Sequence, residues 1–126
     1  MLRYFNLWLG LGWLIAIVMC YISLTPSPPN LNINVAHLDK IEHLSAYFLL
    51  MFWFSQLYEL RKTRLFYAVI FIAMGIALEI LQGIGGVRYF EYYDMLANSL
   101  GVAAAWWLTN GRATFLFALI ENKFLK

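Results

Sequence analysis

The chain has 126 residues, 63% of them apolar, 18% aromatic and 13% charged, against roughly 45 to 50% apolar and 25% charged in an ordinary soluble domain. That excess excludes a disordered chain and a normal water-soluble globule, because one domain of this length has too little interior for so many Phe, Trp, Leu and Ile side chains. Nine basic against seven acidic residues give a formal charge of +2 with no basic stripe, so no nucleic-acid partner is expected, and the single Cys20 forms no intrachain disulfide.

From Tyr4 to Leu24 no charged residue occurs, and at about 1.5 Å per residue that run crosses a hydrocarbon core of about 30 Å. Arg3 ahead of the run permits a signal peptide. No small-x-small cleavage site follows, however, and Met19 before Cys20 is a poor lipoprotein-processing context, so a retained anchor is expected. Pro26, Pro28 and Pro29 make Thr25 to Asn34 an extended connection. A second span is expected from Asp39 to Tyr58, ending at a charged turn of Glu59, Arg61, Lys62 and Arg64. A third runs from Leu65 to Gln82 and is broken by Gly83, Gly85 and Gly86, and a fourth runs from Tyr92 to Leu108 and stops at Asn110-Gly111. The stretch Ala113 to Lys126 is too short to span and reads as a surface-lying amphipathic helix. The expected architecture is all-α: a four-helix transmembrane bundle over residues 1–110 with a short C-terminal interfacial helix in 111–126.

Arg3, Arg61, Lys62, Arg64, Arg112, Lys123 and Lys126 fall on one side of these spans, with Lys40 and Arg88 on the other. This bias places both termini in the cytoplasm of a multi-pass inner-membrane protein. Most acids sort to the outer side: Asp39, Glu42, Glu79, Glu91 and Asp94. Asp39, His43 and Tyr47 recur every fourth residue and share one face of the second helix, Glu79 and Gln82 share a face of the third, and Asp94, Asn98 and Gly101 repeat the pattern on the fourth. Antiparallel neighbours joined by short loops can bring these faces together beneath the outer headgroups, with Arg88 above them.

Each residue also has a plainer role. Asp39 with Glu42, and separately Asp94, suit helix caps at the positive dipole end. Asn98, beside the small-residue stripe Ala97, Gly101 and Ala105, suits interhelical packing or a dimer contact. His43 suits a hydrogen-bonded interior position, and Tyr47 suits packing. Glu79 resists such a reading, because a carboxylate near the centre of a span costs about 2.5 to 3.5 kcal/mol on insertion scales and therefore calls for a partner such as His43, Lys40 or Arg88.

The series Asp39-Lys40-x-x-His43-x-x-x-Tyr47, Glu79-x-x-Gln82, Arg88 and Asp94-x-x-x-Asn98-x-x-Gly101, with Ser23-Leu24-Thr25-Pro26 leaving the first helix, resembles the VanZ-like family of small membrane proteins. The resemblance covers the four spans and leaves out the segment after Gly111. The family takes its name from a member that raises tolerance to the glycopeptide antibiotic teicoplanin, which implies a role at the cell envelope. The leading expectation is a non-enzymatic envelope protein whose outer pocket binds an anionic or lipid-linked ligand, such as a cell-wall precursor or a phospholipid headgroup. In it Lys40 and Arg88 meet the anionic group while Asp39, His43, Tyr47, Glu79, Gln82, Asp94 and Asn98 orient those cations and add hydrogen bonds. A bilayer setting and a homo-oligomer fit this reading, and no cofactor or resident metal is expected. Two alternatives stand beside it: a hydrolase or transferase acting on a lipid-linked substrate through His43, Glu79 and Asp94, and a buried ionic latch that fixes helix packing. Against the enzyme, no His-Glu-x-x-His, no Gly-x-Ser-x-Gly and no phosphate-cradling glycine loop occurs, and His37 is a weak ligand candidate.

Overall fold

The charge-free runs and their Pro, Gly and Asn breaks resolve into five helices in a computed structural model. It describes residues 2–24, 36–58, 60–85, 92–109 and 116–124, with side chains of the second segment from residue 41 onward. Among these residues there is no strand. The helices are α1 (Phe5–Leu24), α2 (Ala36–Ser55), α3 (Arg61–Ile84), α4 (Tyr92–Leu108) and α5 (Leu116–Phe124). The all-α expectation holds. Length and composition mark two of the helices, α1 and α3, as able to cross a membrane; α2 has Asp39, Lys40 and Glu42 in its first two turns, and α4 has 17 residues.

Both boundaries of the second and third spans differ from the sequence reading: α2 ends at Ser55 rather than Tyr58, and α3 continues through Gly83 to Ile84. α2 begins at Ala36, so Asp39 lies inside the helix and not at a cap before it, and Asp94 likewise falls within the first turn of α4. α3 begins at Arg61 and takes in residues that read as a charged turn. Arg64 is buried there: its Nε donates to the Tyr58 carbonyl at 2.6 Å and its Nη1 to the Thr109 carbonyl at 2.8 Å. Those acceptors lie just beyond the C-terminal ends of α2 and α4, where the helix dipoles are negative and carbonyls lack helical partners.

α2 and α4 form the closest pair, α3 packs on α4, and α1 lies against α2 and α3. The α2–α4 seam depends on Gly101, where a Cβ would collide with the Leu44 backbone carbonyl and come within 3.1 Å of the Phe48 nitrogen. Ala97 and Ala105, four residues to either side, are also buried, so the small-residue stripe packs within the chain. The middle of the bundle is filled by Leu50, Met51, Phe54, Phe71 and Val102, all fully buried or nearly so.

α5 joins the end of the bundle that holds Arg64. The Phe117 ring stacks on Trp8 at 4.2 Å between centroids and meets Trp53 edge to face at 4.7 Å. Glu121 accepts the backbone N–H groups of Arg3 at 2.7 Å and Tyr4 at 2.9 Å and the Trp8 indole N–H at 2.8 Å. It thereby caps the start of α1, where helix N–H groups lack partners. Burial raises the Glu121 pKa, but the N–H donors of Tyr4, Trp8 and Arg3 outweigh it and hold the carboxyl below its ordinary 4.5. A depressed folded-state pKa means that the docking energy is complete above 4.5 and is lost as pH falls through the lower folded value. Proteolysis of the α5 segment is therefore expected to accelerate as pH drops below 4.5. In Glu121→Gln, cleavage should be faster at neutral pH and flat across that window.

Candidate functional site

At the opposite end of the bundle meet the C-terminus of α1, the N-terminus of α2, the C-terminus of α3 and the N-terminus of α4, as up-and-down topology dictates. There the structure brings together His43 of α2, Glu79 of α3 and Asp94 of α4, whose ring-nitrogen and carboxylate-oxygen atoms all lie within 4.8 Å of one another. Glu79 is 1% exposed and Asp94 6%, while His43 is half-buried. Asp94 occupies the first turn of its helix, so the positive end of the α4 dipole faces a carboxylate.

One helical turn deeper lies a second layer. Tyr47 and Asn98 stand four residues beyond His43 and Asp94, and Gly75 stands four before Glu79 on the antiparallel α3. A Cβ at Gly75 would come within 3.1 Å of Asn98 and 3.3 Å of the Tyr47 ring, so these three positions are in close contact. Tyr47 and Asn98 are each 3% exposed, and the Asn98 Oδ1 accepts no hydrogen bond among the described residues. Gln82 is committed elsewhere: its Nε2 donates to the Ser23 carbonyl at 2.6 Å and ties the last turn of α1 to α3.

An open cleft of about 210 Å³ leads to the cluster between α1 and α2, lined by Met19, Ile22 and Ser23 on one side and by Glu42, His43, Ala46 and Tyr47 on the other. A second groove of about 270 Å³, almost wholly apolar, runs between α2 and α4 along Ile41, Leu44, Tyr93, Leu96, Ala97 and Leu100. His43 lines the first cleft, while Glu79 and Asp94 are buried.

Of the candidates taken from the sequence, His43, Tyr47, Glu79, Asp94 and Asn98 occupy these two layers, and Gln82 lies beside them with its amide turned to α1. The side chains of Asp39 and Lys40, and all of Arg88, lie outside the described residues. Sequence reasoning missed Gly75 and the α1 side of the cleft. Gly75 carries a readable signal, since it precedes Glu79 and Gln82 by four and seven residues and so shares their face. Met19, Ile22 and Ser23 carry none, because nothing in an apolar run distinguishes a cleft wall from a lipid-facing side.

The donor set is one imidazole and two carboxylates, with a phenol and an amide below them. It can hold a cation or accept and donate hydrogen bonds to a polar headgroup. Ser23, on the cleft wall opposite His43, adds a hydroxyl to this end of the bundle. Searches against family models, curated proteins and solved structures return no match for the chain.

Proposed function

We propose that the protein is a VanZ-like, four-span protein of the cell-envelope membrane that binds the headgroup of an anionic or lipid-linked envelope ligand in a polar pocket at its outer end, with both termini cytoplasmic and no chemistry performed on the ligand. Inverted polarity supports the membrane setting. Leu7, Leu14, Ile17, Phe66, Val69, Leu96 and Leu100 are each more than half exposed, whereas Arg64, Glu79, Gln82, Asp94 and Asn98 are buried. In water this arrangement would leave apolar side chains unburied and hide the polar ones; in lipid both are placed favourably. The 17 residues of α4 lie within the span range of about 17 to 25 residues, and the charges of α2 cluster in its first turns, at headgroup depth.

The observation that carries the binding role is the convergence of His43, Glu79 and Asp94 beside an open cleft. Ionisable groups placed within spans at the expense of insertion energy are sites in the first instance. Lys40, three residues before His43, and Arg88, in the α3–α4 connection, supply the positive charge for an anionic headgroup, and the cleft and the apolar α2–α4 groove suit acyl chains. Glycopeptide tolerance enters this proposal only through the resemblance to the VanZ-like family.

Native mass spectrometry of protein extracted from its own membrane tests this reading. Wild type is expected to carry one lipid or lipid-linked molecule per chain, and His43→Ala with unchanged helical content should hold it about tenfold more weakly, a change of about 1.4 kcal/mol. Equal retention by wild type, His43→Ala and Asp94→Asn would remove the pocket from the account.

A further inference from the structure

We infer that His43, Glu79 and Asp94 form a binding site for one divalent metal ion of the zinc or manganese class, reached through the cleft beside His43. This departs from the expectation of no resident metal. It rests on the pocket reading above only for the further step in which the ion meets a headgroup oxygen.

Geometry is the first support. Three atoms no more than 4.8 Å apart share a centre at most about 2.8 Å from each, so inward movement of about 0.7 Å by each group reaches the metal–nitrogen and metal–oxygen distances of about 2.0 to 2.2 Å. Side-chain rotation supplies shifts of that size, and the three ligands arrive from three helices, so the backbone need not move. Donor chemistry is the second support. Two carboxylates and one imidazole are ligand types that a zinc or manganese ion takes. An independent observation comes from the second layer: Asn98, 3% exposed and one turn from Asp94 on the same face of α4, keeps an Oδ1 that accepts no hydrogen bond among the described residues. Water bound to an ion one helical turn above would give that oxygen a partner.

The donor types narrow the metal. One nitrogen and two oxygens without a thiolate suit zinc or manganese, and three protein ligands with a further position open toward a cleft is the arrangement of an accessible metal rather than a closed structural one. The open position is where a phosphate or carboxylate oxygen of a headgroup coordinates.

The test uses the full chain in detergent, stripped with chelator and titrated with Zn2+ alone, with bound metal counted by elemental analysis. One zinc per chain is expected, with affinity reduced at least tenfold in His43→Ala and in the isosteric Asp94→Asn. Zinc should raise the unfolding temperature of wild type and leave that of Asp94→Asn unchanged, a readout that holds even if His43→Ala does not fold. Absence of stoichiometric zinc, or equal affinity in Asp94→Asn, overturns the inference. Zinc bound by a chain that retains no lipid upholds the ion and removes the headgroup reading; lipid retained by a chain that cannot bind zinc does the reverse.

Discussion

Gly101→Ala should cost about 3 kcal/mol of stability, at the upper end of ordinary overpacking, and Gly101→Val should prevent assembly of the bundle. The new Cβ meets the Leu44 carbonyl oxygen and stands 3.1 Å from the Phe48 nitrogen. Both are backbone atoms of a hydrogen-bonded helix, so no side-chain rotation relieves the clash. α2 and α4 must separate along the seam between them, and that seam sets the distance between His43 and Asp94. A lost pocket is therefore the second expected consequence. Gly10 is the internal control: nothing lies within 4 Å of a Cβ there, so Gly10→Ala should be neutral or stabilise α1 by about 0.5 kcal/mol. Unfolding midpoints in a denaturing detergent series measure both. A Gly101→Ala protein as stable as wild type would mean that the two helices do not approach as described.

The second large effect is expected at the other end of the bundle. Arg64→Ala removes the donors that satisfy the carbonyls of Tyr58 and Thr109, and hydrogen bonds to charged groups contribute about 1.5 to 3 kcal/mol each. A loss of about 3 kcal/mol follows, read in the same denaturation series. Arg64→Lys keeps the charge but lacks the planar fork that reaches two acceptors at once, so it should recover about half. Because Arg64 is far along α3 from Glu79, the metal and lipid affinities of the folded fraction should remain those of wild type. That separates damage to the scaffold from damage to the site.

Much of this organisation was readable from residue order, and the unread part has identifiable causes. α1 and α4 emerged within a residue of their ends because uninterrupted apolar runs bounded by proline, glycine or asparagine leave little choice of register. The polar faces emerged from three- and four-residue spacings, and the helices do bring His43, Glu79 and Asp94 to one place. α3 starts earlier than its apolar run because Arg64 finds carbonyl partners on two other segments, and such tertiary satisfaction leaves no mark in local sequence. Asp39 and Asp94 resemble caps by residue type, yet both fall within their helices, where an acid still suits the positive dipole end. Amphipathicity in residues 113–126 pointed to a helix, but the pairing of Glu121 with the start of α1 joins opposite ends of the chain and could not be read from either segment.

Side-specific thiol labelling of intact spheroplasts tests most directly whether the polar pocket opens on the outer face of a lipid-embedded bundle. In a Cys20→Ala background, a membrane-impermeant maleimide should label Glu42→Cys, an exposed position beside His43 in the cleft, without permeabilisation. Lys123→Cys, exposed on α5 at the other end, should react only after the membrane is opened. Labelling of Lys123→Cys from outside with Glu42→Cys protected, or labelling of both from one side, would contradict the account.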